Sequence, residues 1–226
     1  MPTERSRTAP LRTRAEKKSA RREAILEAAL DEFCERGFAA TRVEDVARRA
    51  EVAKGTIYLN FTDKEALFQE LIRSRLGHHV LRLENARPQQ GQSMRETLEA
   101  ALAPLLRQIR TTRMGDLLRL MIAESGRFPN LAEFYYREVL QRTMKAIQRL
   151  AGHGLENGEL AGDELIRFPQ IVGAPVLLTL VWTTLFDRFA PLDEKALLSA
   201  YLDILFRRTP NGPSASTRRE GKNTRE

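Results

Sequence analysis

The fold is decided by residues 22–71, which read REAILEAALDEFCERGFAATRVEDVARRAEVAKGTIYLNFTDKEALFQEL. Apolar side chains recur in this stretch at intervals of three and four residues, the spacing of one face of an α-helix. The stripe from Ile25 to Phe33 predicts a first helix that starts near Ser19. Gly37 follows the last turn of that helix, and we expect it to end the helix with a positive φ.

Two short helices are predicted after this glycine. Thr41 and Glu44 have the spacing of a capping box at the start of the first one. The second runs from about residue 53 to residue 60, after a turn at Glu51. Three helices within roughly forty residues, the last two joined by a tight turn, are the plan of a helix-turn-helix domain. In such a domain the last helix enters the major groove of DNA, and the helix before it crosses the phosphates.

The same segment closely resembles the DNA-binding domain of the TetR family of transcriptional regulators. The most specific part is the run Ala53-Lys54-Gly55-Thr56-Ile57-Tyr58, followed by Asn60-Phe61 and Asp63-Lys64-Glu65. The resemblance implies a homodimer that binds a palindromic operator in double-stranded DNA and is not an enzyme. A weaker resemblance, over residues 119–129, is to one subgroup of the family's sensor domains.

The resemblance also implies a role for each matching position. Thr41 or Arg42 would cap the second helix and touch phosphate, and Gly55 would let the backbone approach DNA closely. Tyr58 and Lys64 would hold phosphates on either side. The implied DNA-binding residues are Thr41, Arg42, Lys54, Gly55, Thr56, Tyr58, Leu59, Asn60 and Lys64.

Two positions depart from the family's usual sequence. Position 51 is usually Gly because the turn needs a positive φ, and Glu51 would be strained there by about 1 kcal/mol. Position 53 is often Ser, so Ala53 gives up a hydroxyl contact or a helix cap. Neither departure removes the motif, but both affect individual DNA contacts.

The rest of the chain is also predicted to be helical. Two more capping boxes, at Thr62 and at Ser93, open a long helix over 63–87 and the helix after it. Pro175 is expected to kink the second-to-last helix. The further helices are predicted at 93–111, 114–125, 131–155, 168–189 and 193–207.

The predicted class is all-α with about nine helices, and the chain divides into four parts. These are a disordered basic arm (1–18), a helix-turn-helix DNA-binding domain (19–64), a helical ligand-sensing and dimerisation domain (65–208) and a disordered basic tail (209–226).

Two functional regions of the second domain are implied by the family alone. An apolar lining would suit a small apolar or aromatic effector. The alternative, for both regions, is that the side chains fill the core of one chain. The candidate pocket residues are Met121, Phe128, Tyr135, Trp182 and Phe186. The candidate dimer interface consists of Leu177, Leu180, Val181, Leu197, Leu198, Tyr201, Leu202 and Leu205.

The charge of the chain lies at its ends. The net charge is +7, of which residues 1–22 carry +6 (eight Lys/Arg against two Glu) and residues 209–226 carry +2 (four Lys/Arg against two Glu). The remainder is therefore −1. Basic arms of this kind favour a nucleic-acid partner, and the alternative is a solvated end that binds nothing.

Other features narrow the function by exclusion. Cys34 is expected to fill the core and has no second cysteine to pair with, which fits a reducing cytoplasm. No apolar stretch reaches the ~20 residues of a membrane span, so a cytoplasmic protein without a membrane partner is expected. His78 and His79 are expected to be solvated. No metal-ligand spacing, nucleophile elbow or glycine-rich phosphate loop is present, so no cofactor, metal or enzymatic activity is expected.

Three function classes are compared, and the third, a helical enzyme that carries basic arms, is the least favoured because the sequence offers no polar constellation for a pocket. The first is a repressor that a small effector releases from its operator. The second is a dimeric DNA-binding regulator with no small-molecule ligand.

Overall fold

The computed structural model describes residues 13–88 and 91–206, and every regular element in these two ranges is a helix. The predicted all-α class is confirmed. The helices are α1 (Arg14–Ala40), α2 (Val43–Arg49), α3 (Lys54–Tyr58), α4 (Lys64–Asn85), α5 (Met94–Thr111), α6 (Met114–Ser125), α7 (Pro129–Tyr135), α8 (Gln141–Glu156), α9 (Glu164–Arg167), α10 (Ala174–Leu185) and α11 (Glu194–Leu205).

Helix α1 begins at Arg14, five residues earlier than the predicted start near Ser19. The reason is a capping box: the Glu16 N–H donates to Thr13 Oγ1 (3.2 Å), and the Thr13 N–H donates to Glu16 Oε2 (2.7 Å). A disordered arm is therefore the wrong prediction for residues 13–18. Residues 1–12 and the predicted tail lie outside the described residues. Near the other end, Gly37 has the predicted positive φ, 75°, but it bends α1 instead of ending it, and the helix continues to Ala40.

Two of the three predicted capping boxes are wrong. Arg42, not Thr41, is the N-cap residue of α2, and its side chain makes no capping hydrogen bond. Helix α4 is capped by Asp63 rather than Thr62, since the Asp63 carboxylate accepts from the backbone N–H of Ala66 (2.7 Å). The capping box at Ser93 is confirmed.

The turn between α2 and α3 closes in the way a helix normally closes on glycine. The Glu51 N–H donates to Arg48 O (3.2 Å) and the Val52 N–H donates to Ala47 O (3.0 Å). These two bonds form a Schellman motif, which needs a left-handed residue at Glu51. Its φ of 54° confirms the predicted positive value. Helix α3 then starts without a side-chain cap, because Ala53 has no hydrogen-bonding group.

Two predicted helices of the second domain are modified. The predicted helix 131–155 is continuous over 129–156, with a π-helical turn at Tyr136–Leu140 between α7 and α8. The predicted helix 168–189 is broken instead of kinked. A 3-10 turn, Pro169–Gly173, precedes α10, and Pro175 lies in the first turn of α10, where a missing N–H costs no hydrogen bond.

Two apolar clusters form the core. The first joins side chains of α1 to α4, such as Phe33 and Phe68, to Leu117 and Met121 of α6 and Leu131 of α7. The second joins α5, α8 and α11. The first cluster crosses the predicted domain boundary at residue 64, so the DNA-binding and sensor parts share one core through α4 and α6.

Two predictions about single side chains are wrong. Cys34 is exposed, because its neighbour Phe33 takes the core-facing position on α1. His79 is buried rather than solvated, and its Nε2 lies 2.9 Å from Gln108 Oε1. Across 13–88 and 91–206, none of the helices has the length and apolar character needed to cross a membrane.

Candidate DNA-binding surface and ligand cavity

Helix α3 and the residue after it present the predicted DNA-binding side chains. Lys54 opens the helix and Tyr58 closes it, and both are exposed. Leu59 is 86% exposed. A Cβ added to Gly55 would meet no protein atom within 4 Å. No neighbouring atom in the described structure therefore requires a glycine at this position, and the close approach of DNA to Gly55 stays a prediction.

Two further predicted residues flank this surface. Arg42 is exposed at the start of α2. Asn60 is exposed, but its Nδ2 donates to Thr56 O (2.8 Å), so one of its donor groups is already used to close α3. Thr56 is half-buried. Asn60 keeps its amide oxygen for an outside donor.

An acidic partner of Lys54 is the feature of this surface that the sequence does not reveal. The Lys54 ammonium pairs with the carboxylate of Glu44 on α2 and lies 5.6 Å from the centre of the Tyr58 ring. The hydrogen bond with Glu44 raises the pKa of Lys54, and the same bond lowers the pKa of Glu44. Both groups stay charged at neutral pH, so a phosphate that binds Lys54 competes with Glu44.

Thr41 does not belong to the DNA-binding surface. Its side chain is 2% exposed, and its hydroxyl lies 2.8 Å from Gly37 O and 3.0 Å from Glu32 O. The hydroxyl is thus used to close the end of α1. The prediction of a phosphate contact by the Thr41 side chain is wrong for this reason.

Lys64 is tied to the backbone of the same turn. Its Nζ donates to Phe38 O (3.0 Å) and to Ala39 O (2.9 Å) and lies 4.8 Å from the centre of the Phe38 ring. An ammonium has three donors. At most one is left for the predicted phosphate contact, and the other two fix the start of α4 to the end of α1.

Part of the predicted basic arm is helical. Residues 14–22 of α1 carry five Lys/Arg against Glu16, a net charge of +4. Among these cations, Arg22 pairs with Glu70 of α4 (2.9 Å) and lies over the ring of Phe61. The basic charge next to the helix-turn-helix is therefore held on a rigid element.

The sensor part contains a partly open cavity of about 390 Å³. Its walls come from α4, α5, α6, the π-helical turn, α8 and α10. Most of the lining is aliphatic: Leu76, Val80, Leu83, Leu102, Leu105, Leu118, Met121, Ile122, Val139, Leu140, Met144, Ile147, Val172, Val176, Leu177 and Leu180. Such a lining suits an apolar ligand.

The few polar side chains of this cavity are uncharged at neutral pH. Burial lowers the pKa of His79 from 6.5, and burial raises the pKa of Tyr135 from 10.0. Thr143 and Gln170 cannot ionise, and no Lys, Arg, Asp or Glu of ranges 13–88 and 91–206 belongs to the lining.

Two of the five predicted pocket residues, Met121 and Tyr135, line the cavity. Phe128 does not, because it packs edge-on against Phe38 at 4.8 Å between ring centres. Trp182 and Phe186 do not either. They contact each other at 5.3 Å, and Trp182 Nε1 donates to Ala190 O (2.7 Å).

The predicted interface residues separate into two groups. Leu180, Leu198 and Leu202 are buried inside this chain, so for them the core alternative is correct. Tyr201 is half-buried, and its hydroxyl donates to Ile171 O. The remaining predicted residues are half-buried or exposed and stay candidates: Leu177, Val181, Leu197 and Leu205.

An exposed apolar stripe runs along α10 and into the turn that follows it. Leu178, Val181, Leu185 and Phe189 follow one another at intervals of three or four residues, and all are exposed. Ile204 on α11 is also exposed. We call these five residues the α10–α11 stripe. Exposed apolar patches are typical of protein contact surfaces.

The fold and the surface define a helix-turn-helix regulator with a helical C-terminal domain. Residues 25–71 match the family model of bacterial regulatory proteins of the tetR family, and residues 88–199 match that of the tetracyclin repressor-like C-terminal domain. The chain therefore belongs to the TetR family. The members of this family are DNA-binding transcriptional regulators and not enzymes.

Related proteins agree with this assignment. YhgD of Bacillus subtilis, an uncharacterized HTH-type transcriptional regulator, is 29% identical over 180 residues, which cover 78% of this chain and 90% of YhgD. RutR of Escherichia coli K12 is 28% identical over 180 residues, covering 80% and 69%. The crystal structure of B. subtilis FadR in complex with stearoyl-CoA has the same fold. Its TM-score is 0.63 at 21% identity, covering 82% of this chain and 97% of FadR.

Proposed function

We propose that this regulator is a homodimeric repressor that a small, largely apolar effector releases from a palindromic operator. The observation that carries the proposal is that one helix serves both regions. Leu76, Val80 and Leu83 of α4 line the cavity, and Lys64, the first residue of α4, holds the backbone at Phe38.

A small displacement of α4 is enough to disturb DNA binding. From Lys64 to Val80 is 16 residues, or roughly 24 Å of α-helix. Tilting this helix by about 5° moves one end by roughly 2 Å relative to the other. In a dimer, both recognition helices have to fit half-sites about one helical turn apart. A shift of this size in each protomer spoils that fit.

The lining of the cavity limits the chemistry of the effector. Because the lining has no charged side chain, the buried part of the effector is uncharged. A charged head group has to stay at the mouth, where Leu177 is 58% exposed. The fold relative FadR, which binds stearoyl-CoA, supports a long acyl chain as the first probe.

The α10–α11 stripe supports the homodimer. A second copy of the same chain presents the same stripe, and a two-fold axis lets the two bury each other. Two-fold symmetry of the protein then matches two-fold symmetry of the operator.

The test begins with selection of a preferred duplex from a random library by the full chain. Binding of that duplex is then measured by fluorescence anisotropy, with stearoyl-CoA and palmitate as probes. We expect both probes to lower the affinity for the selected duplex. We expect Leu105→Trp, which fills the cavity from α5, to keep duplex binding but lose the response.

The matched control is Leu81→Trp, which adds the same side chain to the exposed side of α4. It should respond like the wild type. If neither probe, nor any member of a wider set of apolar compounds, changes duplex binding, the regulator without a small-molecule ligand becomes the correct description.

A further inference from the structure

A buried carboxylate connects the sensor part to the DNA-binding part. The backbone N–H of Phe38 donates to Oε1 of Glu124 at 3.1 Å, although the two residues are 86 positions apart. Glu124 is 8% exposed and lies in the last turn of α6. Phe38 follows the bend of α1, directly before α2 and α3.

The bend is shaped to receive this carboxylate. Gly37 has φ 75° and ψ 165°, a region that only glycine adopts without strain. A Cβ on Gly37 would lie 2.7 Å from Glu124 Oε1, closer than atoms can approach. On the other side, the ring of Phe128 packs against Phe38. Glu124 at the end of α6 and Phe128 shortly after it thus contact this short turn of the DNA-binding domain from two sides.

The carboxylate has a single hydrogen bond to justify its burial. No donor in the described parts of the chain reaches Glu124 Oε2, which is also buried. A polar atom left in this state costs stability that an apolar side chain of similar size would not cost. Stability alone therefore does not account for a glutamate here, whereas orientation of the Phe38 backbone does.

The same helix borders the ligand cavity. Met121 lines the cavity and lies three residues before Glu124, so both side chains are on one face of α6 and one turn apart. A movement of α6 that makes room beside Met121 also moves the Glu124 carboxylate away from Phe38.

We propose that Glu124 is a positioning residue for DNA binding, and that its hydrogen bond to Phe38 reports the state of the cavity to α2 and α3. The proposal rests on the proposed repressor function. The hydrogen bond keeps the two helices in the orientation that fits the operator, and displacement of α6 releases them.

The first test compares Glu124→Met with Glu124→Gln. Gln keeps an oxygen that accepts from the Phe38 N–H, whereas Met fills a similar volume and accepts no bond. We expect Glu124→Met to bind the selected duplex roughly tenfold more weakly but to bind a scrambled duplex within about twofold of the wild type, because phosphate contacts dominate non-specific binding. Glu124→Gln should stay within about threefold on both duplexes. If Glu124 only stabilised the fold, Glu124→Met protein that thermal melting shows to be folded would bind both duplexes as the wild type does.

The second test needs no effector. Met121→Trp pushes on α6 from inside the cavity and should weaken binding of the selected duplex in the wild-type background. In the Glu124→Met background it should have little further effect, because the contact that carries the displacement is already lost. Met144→Trp, which fills the cavity from α8, is the matched control and should add its effect to that of Glu124→Met.

Three results would overturn the proposal. They are unchanged selective binding in Glu124→Met, equal losses in Glu124→Met and Glu124→Gln, and additive effects of Met121→Trp and Glu124→Met. If the wild type prefers no duplex, the proposed function fails, and amide hydrogen exchange still tests the positioning role. Glu124→Met should then speed amide exchange in residues 38–59 and leave exchange in α5 and α8 unchanged. An equal change of exchange rate in all these segments would refute the positioning role.

Discussion

Glu51 stands in a backbone conformation that elsewhere in this chain is held by glycine. At the end of α8, the Glu159 N–H donates to Gly154 O (2.8 Å) and the Gly158 N–H donates to Leu155 O (3.1 Å). This is the same motif that ends α2, and Gly158, with φ 70°, occupies the position of Glu51, with φ 54°. The two turns therefore form a natural comparison of Glu and Gly at one conformation.

We expect Glu51→Gly to raise the free energy of unfolding by about 0 to 1.6 kcal/mol. A non-glycine residue in the left-handed region costs about 1–2 kcal/mol of stability, which the glycine variant regains. Glycine also raises the entropy of the unfolded chain, and this lowers the stability by roughly 0.4–1 kcal/mol. For a chain of this length, 1 kcal/mol corresponds to a melting temperature about 2–4 °C higher. Gly158→Ala should have the opposite sign, because a Cβ there meets no atom within 4 Å and only the backbone strain acts.

The measurement is denaturant unfolding with Glu51→Ala and Glu51→Asn beside Glu51→Gly. Ala removes the carboxylate but keeps the strain, so it should match the wild type. Asn tolerates the left-handed region and should fall between Ala and Gly. If Ala stabilises the protein as much as Gly does, the effect comes from charge and the strain argument is wrong. A destabilised Glu51→Gly would refute it as well.

Three further predictions follow from individual contacts. Lys64→Met should lower the free energy of unfolding by about 1–2 kcal/mol, because two charge-assisted hydrogen bonds at the Phe38 turn are lost; an unchanged melting curve would contradict this. Because burial lowers the pKa of His79 below 6.5, the unfolded chain takes up more protons than the folded one as the pH falls, so stability should decrease from about pH 7 to pH 5.5. His79→Gln should flatten that slope in unfolding measured at several pH values, and an equal slope would exclude His79 as its source. Leu185→Asp should yield monomers in analytical ultracentrifugation, whereas Leu81→Asp on the exposed side of α4 should not, and an intact Leu185→Asp dimer would remove α10 from the interface.

Local sequence was sufficient for most of the helix positions and for the class of protein. The positions of α2 and α3, the positive φ at Gly37 and Glu51 and the capping box at Ser93 all follow from contacts within a few residues. Backbone conformation and capping depend on near neighbours, which a sequence displays directly. The motif in residues 53–65 identifies the family, because that combination of residue types is characteristic of one mode of DNA binding.

Caps with competing candidates were harder to predict. Thr41 and Thr62 both have a glutamate three residues later, yet neither caps a helix. Thr41 turns inward to the end of α1, and Asp63 outcompetes its neighbour. Which residue caps a helix depends on how far its side chain lies from each competing partner in three dimensions. The spacing of residues along the sequence does not give that distance.

The candidate sites beyond α3 were decided by tertiary structure. Periodicity marks Met121 and Phe128 alike as apolar, but only packing directs the first into the cavity and the second onto Phe38. The hydrogen bond from the Phe38 N–H to Glu124 joins residues 86 positions apart, and no local sequence pattern predicts it. The sequence shows which side chains share one face of a helix. Which helix faces pack against each other depends on how all the helices fill space together. The cavity, the α10–α11 stripe and the link between the two domains all result from that packing.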